Sequence, residues 1–237
     1  MRVAAALNPR AATESKPAVP RPRAPVTERT AVFVTLRRLA ATTLLLAAGA
    51  ALAQAPAPDA LIRQVSTEVL DVARTDRAIQ GGDISKVSAL VESKVMPHVD
   101  FEVITRSAVG PQWRGATPEQ RTRLQAEFKL LLIRVYSGAL AELKDQTVHI
   151  TRTQPVQGST QVIVQSEVRG KGEPIKLDYR LDRRGAAGAE AWKIIDVNVA
   201  GLWLVQNYRT QFAQELSRGG IDGLITALAE RNKGGKS

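Results

Sequence analysis

The stretch AWKIIDVNVAGLWLVQNYRTQF, residues 191–212, decides the fold because it predicts a strand that turns directly into a helix. Its first half, up to Val199, is apolar at both odd and even positions, which is typical of a central strand covered on both faces. Gly201 ends this strand. The apolar residues that follow recur at steps of three and four, the stripe of an amphipathic helix. The stripe comprises Leu202, Val205, Tyr208, Phe212 and Leu216. The rest of the chain must supply the elements that close over this corner.

Three further strands are predicted upstream of the corner. Apolar and polar residues alternate over 147–151, 161–169 and 175–182. A period of two with one polar face indicates antiparallel strands wetted on one side. Between the second and third of these strands, Gly170-Lys171-Gly172 predicts a hairpin turn. With the strand at 191–199, they predict a four-stranded antiparallel meander.

Helices are predicted on both sides of this meander. The clearest start signal is Thr117-Pro118-Glu119-Gln120, a capping box with proline at the first helical position, and its helix should run to about Leu143. Asp83 and Asp100 can cap shorter helices upstream, and Gly219-Gly220 breaks the helical pattern near the C-terminus. We therefore expect an α+β fold: N-terminal helices and a long central helix packed on a curved four-stranded antiparallel sheet, with C-terminal helices.

Residues 1–53 predict an N-terminal extension followed by a signal peptide. Arg37-Arg38 precede an uncharged run rich in Leu and Ala, and Ala51-Leu52-Ala53 matches the small-x-small pattern of a signal peptidase site. The apolar run is about 14 residues long, too short for a comfortable membrane span. We expect cleavage after Ala53, a single domain at 54–237 and a periplasmic location. Residues 1–33 show no periodicity, so Val34 is a plausible alternative start.

Composition and motifs exclude several classes of function. The chain has no cysteine, which rules out a disulfide framework, a thiol nucleophile and a cysteine-based metal site. Its formal net charge is +10, but residues 1–53 hold +6 of it, and the remaining basic residues are scattered. A nucleic-acid partner is therefore not expected. GxSxG, HExxH, P-loop and GxGxxG patterns are absent, and we expect no metal, no cofactor and no enzymatic activity.

Two segments carry a resemblance to a known family. They are VMPHVDFEVITRSAVGPQWRGATPEQRTRLQAEFKLLLIRVYSGAL, residues 95–140, and DVNVAGLWLVQNYRTQF, residues 196–212. Both resemble the signature of the MlaC family, also called toluene-tolerance auxiliary proteins, and the resemblance extends over about 59–230. Trp203 departs from the family pattern, which has Ser there, and adds an aromatic ring beside the corner.

The resemblance implies a periplasmic phospholipid carrier. MlaC-like proteins pack helices against a curved sheet and insert acyl chains between the two layers. They move lipid between an outer-membrane lipoprotein–porin complex and an inner-membrane ABC transporter whose periplasmic subunit carries an MCE domain, which maintains outer-membrane lipid asymmetry. The expected partners are therefore a phospholipid and these two complexes.

Under this hypothesis, acyl-chain contacts come from inward residues of both layers. The helical candidates are Phe101, Ile104, Trp113, Phe128, Leu132, Val135 and Tyr136. The sheet candidates are Val148, Ile150, Val164, Leu177, Tyr179, Trp192 and Ile194, and the corner helix adds Val205 and Tyr208. Arg134 and Arg209 are candidates for a phosphate contact at the mouth. Periodicity alone does not distinguish such a cavity from a filled core.

Two alternatives from other classes stay open. Helices on a curved sheet also describe cone-shaped folds that host small-molecule enzymes, and a periplasmic enzyme of this kind would use Asp196 or Asp100 as its acid or base. Asp196 interrupts an apolar strand, although pairing with Lys193 or Arg209, or with backbone at the corner, also explains it. The other alternative is an adaptor in envelope assembly that binds no ligand.

Overall fold

The computed structural model describes residues 56–143, 145–185 and 190–234. The helices are α1 (Pro58–Thr75), α2 (Arg77–Gln80), α3 (Ile84–Leu90), α4 (Phe101–Val109), α5 (Pro118–Ala141) and α6 (Leu204–Gly234). The strands are β1 (Thr147–Pro155), β2 (Gln161–Arg169), β3 (Ile175–Arg184), β4 (Ala191–Val199) and β5 (Leu202–Trp203). A π-helical turn (Val91–Val95) and a 3-10 turn (Met96–His98) join α3 to α4, and a second 3-10 turn (Gly110–Gly115) joins α4 to α5. The predicted signal peptide, its cleavage site and the start at Val34 lie outside the described residues.

The strands form one antiparallel sheet in the order β1-β2-β3-β4-β5. This confirms the α+β prediction, but the strand count differs by one. Ala200, with φ +50°, and Gly201, with φ +93°, turn the chain back sharply, and Asn198 Oδ1 accepts a hydrogen bond of 2.8 Å from the Gly201 N–H. The two residues Leu202–Trp203 therefore pair with the end of β4 before the helix begins. Leu202 was predicted to start the buried helical stripe, and it is instead 64% exposed.

The sheet is curved by two irregularities in its register. One lies between Ile150 and Arg152 in the β1–β2 pair, and the other lies between Arg180 and Leu181 in the β3–β4 pair. An extra residue in one strand bends that strand and increases its local twist. The helices pack on one face of the curved sheet. No helix in the described part of the chain is long and apolar enough to cross a membrane.

The predicted helix starts are confirmed by their hydrogen bonds. Thr117 Oγ1 accepts from the Gln120 N–H at 3.2 Å while Gln120 Oε1 accepts from the Thr117 N–H at 2.9 Å, which is the complete capping box. Asp83 caps α3 through the Ser85 N–H, and Asp100 caps α4 through the Val103 N–H. The predicted break at Gly219-Gly220 is also present, because Gly220 takes φ 60° and ψ −154° inside α6.

The buried apolar residues form three clusters rather than one. The helical cluster, from α4, α5 and α6, includes Phe101, Ile104, Leu124, Phe128, Leu131, Tyr208 and Phe212. The sheet cluster, from α1 and the strands, comprises Leu61, Ile62, Val65, Val164, Leu181 and Ile194. The N-terminal cluster comprises Ala73, Ile79, Val87, Leu90 and Ile133. A domain of this size usually has one contiguous core, so the separation needs an explanation.

Candidate functional site

The three clusters meet around a cavity of about 340 Å³ between the helices and the sheet. Its wall includes Phe101 from the helical cluster, Ile194 from the sheet cluster and Ile133 from the N-terminal cluster. Protein side chains do not fill the space between the clusters, which is why they remain separate. The volume falls within the roughly 300–1,000 Å³ typical of ligand pockets.

The wall of this cavity is almost entirely apolar. Its polar and charged residues are Ser66, Lys129, Tyr136, Tyr179 and Asp196. The Lys129 ammonium forms an ion pair with Glu92 of the π-helical turn. Burial raises the pKa of both tyrosines. At Tyr179, the hydroxyls of Ser66 and Ser166 partly oppose this increase. The site therefore suits a hydrocarbon ligand better than a polar one.

Asp196 fastens the strand–helix corner. Its Oδ1 accepts hydrogen bonds from the Val197 N–H at 2.9 Å and from the Val205 N–H, in the first turn of α6, at 3.1 Å. Burial raises the pKa of this carboxyl, although the two backbone N–H groups and Arg180 favour its charged form. Of the partners considered from sequence, the backbone at the corner is therefore the one that the structure shows.

The other candidate acid, Asp100, also has structural partners. Its side chain caps α4, and its Oδ2 lies 3.5 Å from Nε of Arg184. Its backbone N–H donates to the Ile194 carbonyl at 2.9 Å, which ties the start of α4 to β4. Asp196 and Asp100 are the two acids that the enzyme alternative would use, and both already connect helices to the sheet.

Half of the residues predicted to contact acyl chains lie together in the cavity wall. They are Phe101, Ile104, Leu132, Tyr136, Val148, Leu177, Tyr179 and Ile194. They come from α4, α5 and three of the strands, so the structure brings the helical and sheet candidates together across one space. Their contact with a ligand stays a prediction.

The other eight predicted residues lie outside this wall. Phe128 and Tyr208 are buried in the helical cluster, where their ring centroids are 4.8 Å apart, and Val205 packs against the same cluster. Val164 is in the sheet cluster, against which Ile150 and Trp192 pack. Trp113 is the buried residue of the second 3-10 turn and belongs to the helical cluster, and Val135 is exposed.

The helix α5 has two apolar faces, and Val135 lies at the end of the first face, beyond the helical cluster. The first face packs in the helical cluster and holds Leu124, Phe128 and Leu131. The second lies about a third of a turn further round the helix and supplies Leu132, Ile133 and Tyr136 to the cavity. Val135 continues the first face one turn beyond Leu131 and is 55% exposed. Its predicted inward position is therefore wrong.

Sequence reasoning missed the part of the wall that comes from α1 and from the connection between α3 and α4. These residues include Ile62, Val65 and Val69 of α1 and Val91, Val95 and Met96 of the connection. Leu61, Val65 and Val69 form an apolar stripe in the sequence of α1, but such a stripe does not distinguish a cavity wall from a filled core. The π-helical turn, Val91–Val95, has no such pattern in the sequence.

The two arginines considered for a phosphate contact lie apart from the cavity wall. Arg209 lines a second pocket, on the other side of α4, and Arg134 lines neither pocket. Neither position supports the predicted role at the mouth of the cavity.

The fold and the site define a class of protein: an α+β chain with an apolar cavity between its helices and its curved sheet. The chain belongs to the MlaC family, because the family model described as MlaC protein matches residues 63–230. This confirms the resemblance seen in the sequence.

Two curated relatives agree with this assignment. The toluene tolerance protein ttg2D of Pseudomonas putida is 25% identical over 169 residues, covering 71% of this chain and 77% of the relative. The intermembrane phospholipid transport system binding protein MlaC of Haemophilus influenzae is 22% identical over 174 residues, covering 73% and 81% of the two chains.

A solved structure is more similar in sequence. It is the phospholipid-binding protein from Ralstonia solanacearum in complex with a phospholipid, with 39% identity and a TM-score of 0.71. The match covers 77% of this chain and 100% of the solved chain. The shared fold is therefore one that holds a phospholipid in that relative.

Proposed function

We propose that this protein is a phospholipid carrier that buries acyl chains in the cavity and leaves the polar headgroup outside. The observation that carries the proposal is the apolar cavity between the helices and the sheet, in a chain 39% identical to a protein solved with a phospholipid. Leu132 and Tyr136 of α5 line this space together with Leu177 and Tyr179 of β3. Hydrocarbon inserted there would contact side chains of both layers.

Transfer free energies explain why such a carrier is needed. Moving one methylene group from water to an apolar site gains about 0.8 kcal/mol, so a sixteen-carbon tail gains at most about 12 kcal/mol. A phospholipid will not leave a membrane for water at a useful rate unless its tails are shielded. Shielding requires no catalytic group, metal or nucleotide.

The proposed location is the periplasm, between the two membranes of the cell envelope. The name of the Haemophilus influenzae relative places that protein in an intermembrane phospholipid transport system. By analogy, the lipid would pass between an outer-membrane lipoprotein–porin complex and the MCE-domain subunit of an inner-membrane ABC transporter. Such exchange would maintain the lipid asymmetry of the outer membrane.

Native mass spectrometry of protein purified from a periplasm without detergent tests the proposal. We expect a mass increment equal to one or more phospholipids, which lipid extraction then identifies. An unmodified mass, with no lipid taken up from liposomes or from the MCE-domain partner, would refute it.

The enzyme alternative rests on Asp196, because its carboxyl has a raised pKa and lies in the cavity wall. Asp196→Asn separates the two functions. Asn can still accept the two backbone hydrogen bonds through its oxygen, so a carrier should retain its lipid. An activity found in the wild-type protein and lost in this variant, with lipid retained, would favour an enzyme.

A further inference from the structure

A second pocket of about 400 Å³ lies between the C-terminal end of α4, the following 3-10 turn and α6. Three of the residues that line it are arginines: Arg106, Arg114 and Arg209. It shares no lining residue with the apolar cavity, because α4 presents Phe101 and Ile104 to the cavity and a different face to this pocket.

The backbone around the pocket is well fixed. Gly110 takes φ 75° and ψ −144°, a conformation that is essentially restricted to glycine, and the guanidinium group of Arg209 lies against it. Trp113 is only 4% exposed and anchors the turn. The guanidinium carbon of Arg121 lies 5.4 Å from the centre of the Trp113 ring, and its Nη2 donates to the carbonyl of Trp113 at 3.2 Å. Arg114 is therefore carried on an ordered turn.

The three arginines have no acidic partner among the described residues. The ion pairs that arginines form there involve Arg74, Arg169, Arg183, Arg184 and Arg231. Residues 54–237 carry a formal net charge of only +4, so three arginines around one pocket are a local concentration of positive charge. Their mutual repulsion is relieved when an anionic group enters.

We propose that this pocket is a docking site for an acidic segment of a protein partner. All three cations are arginines, whose planar guanidinium groups bind carboxylates in a bidentate manner and are enriched at protein interfaces. Attachment to an anionic membrane surface typically uses clusters of four to eight basic residues, whereas the rest of this domain is nearly neutral. Three exposed arginines around a concave site suit carboxylate side chains on a projecting segment.

Fluorescence anisotropy with a labelled peptide of alternating Glu and Ser tests the site, with a Gln and Ser peptide as the neutral probe. We expect the acidic peptide to bind at low ionic strength and the neutral peptide not to bind. The variant Arg106→Gln/Arg114→Gln/Arg209→Gln should weaken binding about tenfold or more. The matched control is Arg63→Gln/Arg77→Gln/Arg123→Gln, which removes the same charge from exposed positions elsewhere and should bind as the wild type does.

Equal weakening in both triple variants would overturn the proposal, since it would show non-specific charge attraction. So would binding of inorganic phosphate or anionic vesicles at the pocket without binding of the acidic peptide. Should the pocket triple variant fail to fold, the single variants Arg106→Gln and Arg114→Gln must each weaken binding, or the site is refuted.

The lipid content of the pocket variant distinguishes this inference from the proposed function. We expect it to be unchanged, because the pocket and the cavity are separate. A folded variant that loses its lipid would overturn the separation, whereas a wild-type protein that carries no lipid yet binds the acidic peptide would refute only the carrier.

Discussion

Leu177 and Ile175 lie two residues apart on the same face of β3, but only Leu177 lines the cavity. Ile175 is 48% exposed at the start of the strand. We expect Leu177→Arg to remove bound phospholipid, because a guanidinium group in the cavity either stays buried at high cost or occupies the tail space. Ile175→Arg is the matched control and should retain its lipid. Lipid extraction and mass spectrometry of the two folded variants measure the difference, and equal lipid content would refute the assignment of Leu177.

The raised pKa of Asp196 predicts how stability depends on pH. Burial raises this pKa above its ordinary 3.8, so folding favours the protonated carboxyl. The resulting contribution to stability is present below that ordinary pKa and is lost as pH rises through the raised pKa. Asn at this position does not titrate, so Asp196→Asn should gain stability relative to the wild type as pH rises from about 4. Urea unfolding of both proteins across this range tests it, and parallel stability curves would contradict it.

The three tyrosines of the chain report on occupancy of the cavity. Burial raises the pKa of Tyr208 to about 12 and also raises the pKa values of Tyr136 and Tyr179. Only the latter two line the cavity, so bound lipid should raise their pKa values further and leave that of Tyr208 unchanged. Alkaline titration of tyrosinate absorbance, with and without lipid, follows this shift. Identical titrations of the two forms would place the lipid elsewhere.

At the scale of the elements, two adjacent glycines at the break in α6 differ in backbone conformation. An added Cβ would meet no atom within 4 Å at either Gly219 or Gly220, so steric contacts do not distinguish them. Gly220 has φ 60° and ψ −154°, and we expect Gly220→Ala to lower the free energy of unfolding by about 1–3 kcal/mol. Gly219 is helical, and Gly219→Ala should raise it by about 0.5–1 kcal/mol. Urea unfolding measures both, and effects of the same sign would contradict the assigned kink.

Local signals allowed much of this architecture to be predicted from the sequence. Thr117 with Gln120, Asp83 and Asp100 specify helix starts through hydrogen bonds made within a few residues, and alternation specifies the strands. The short β5 was missed because it depends on the positive φ of Ala200 and Gly201 rather than on a pattern. The apolar residues of α5 are visible in the sequence. Tertiary packing decides which of them contact α6 and which line the cavity, so this division could not be predicted.

For the molecule as a whole, the proposed ligand should stabilise the fold. A ligand that binds only the folded state adds about 2.7 kcal/mol at a hundredfold excess over its dissociation constant. In a domain of this size, each kcal/mol shifts the Tm by about 2–4 °C. We expect delipidated protein to melt several degrees lower and to regain its Tm when phospholipid is restored. Leu177→Arg should show no such response, and equal Tm values for loaded and delipidated wild-type protein would contradict the proposed site.

The two apolar faces of α5 have a consequence for evolution and for engineering. Leu124 and Phe128 of the first face pack against the neighbouring helices, whereas Tyr136 of the second face lines the cavity. Mutations at Tyr136 can therefore enlarge, narrow or reshape the cavity while the packing of the first face is preserved. Tyr136 is therefore the natural first position for a library that selects new hydrophobic ligands.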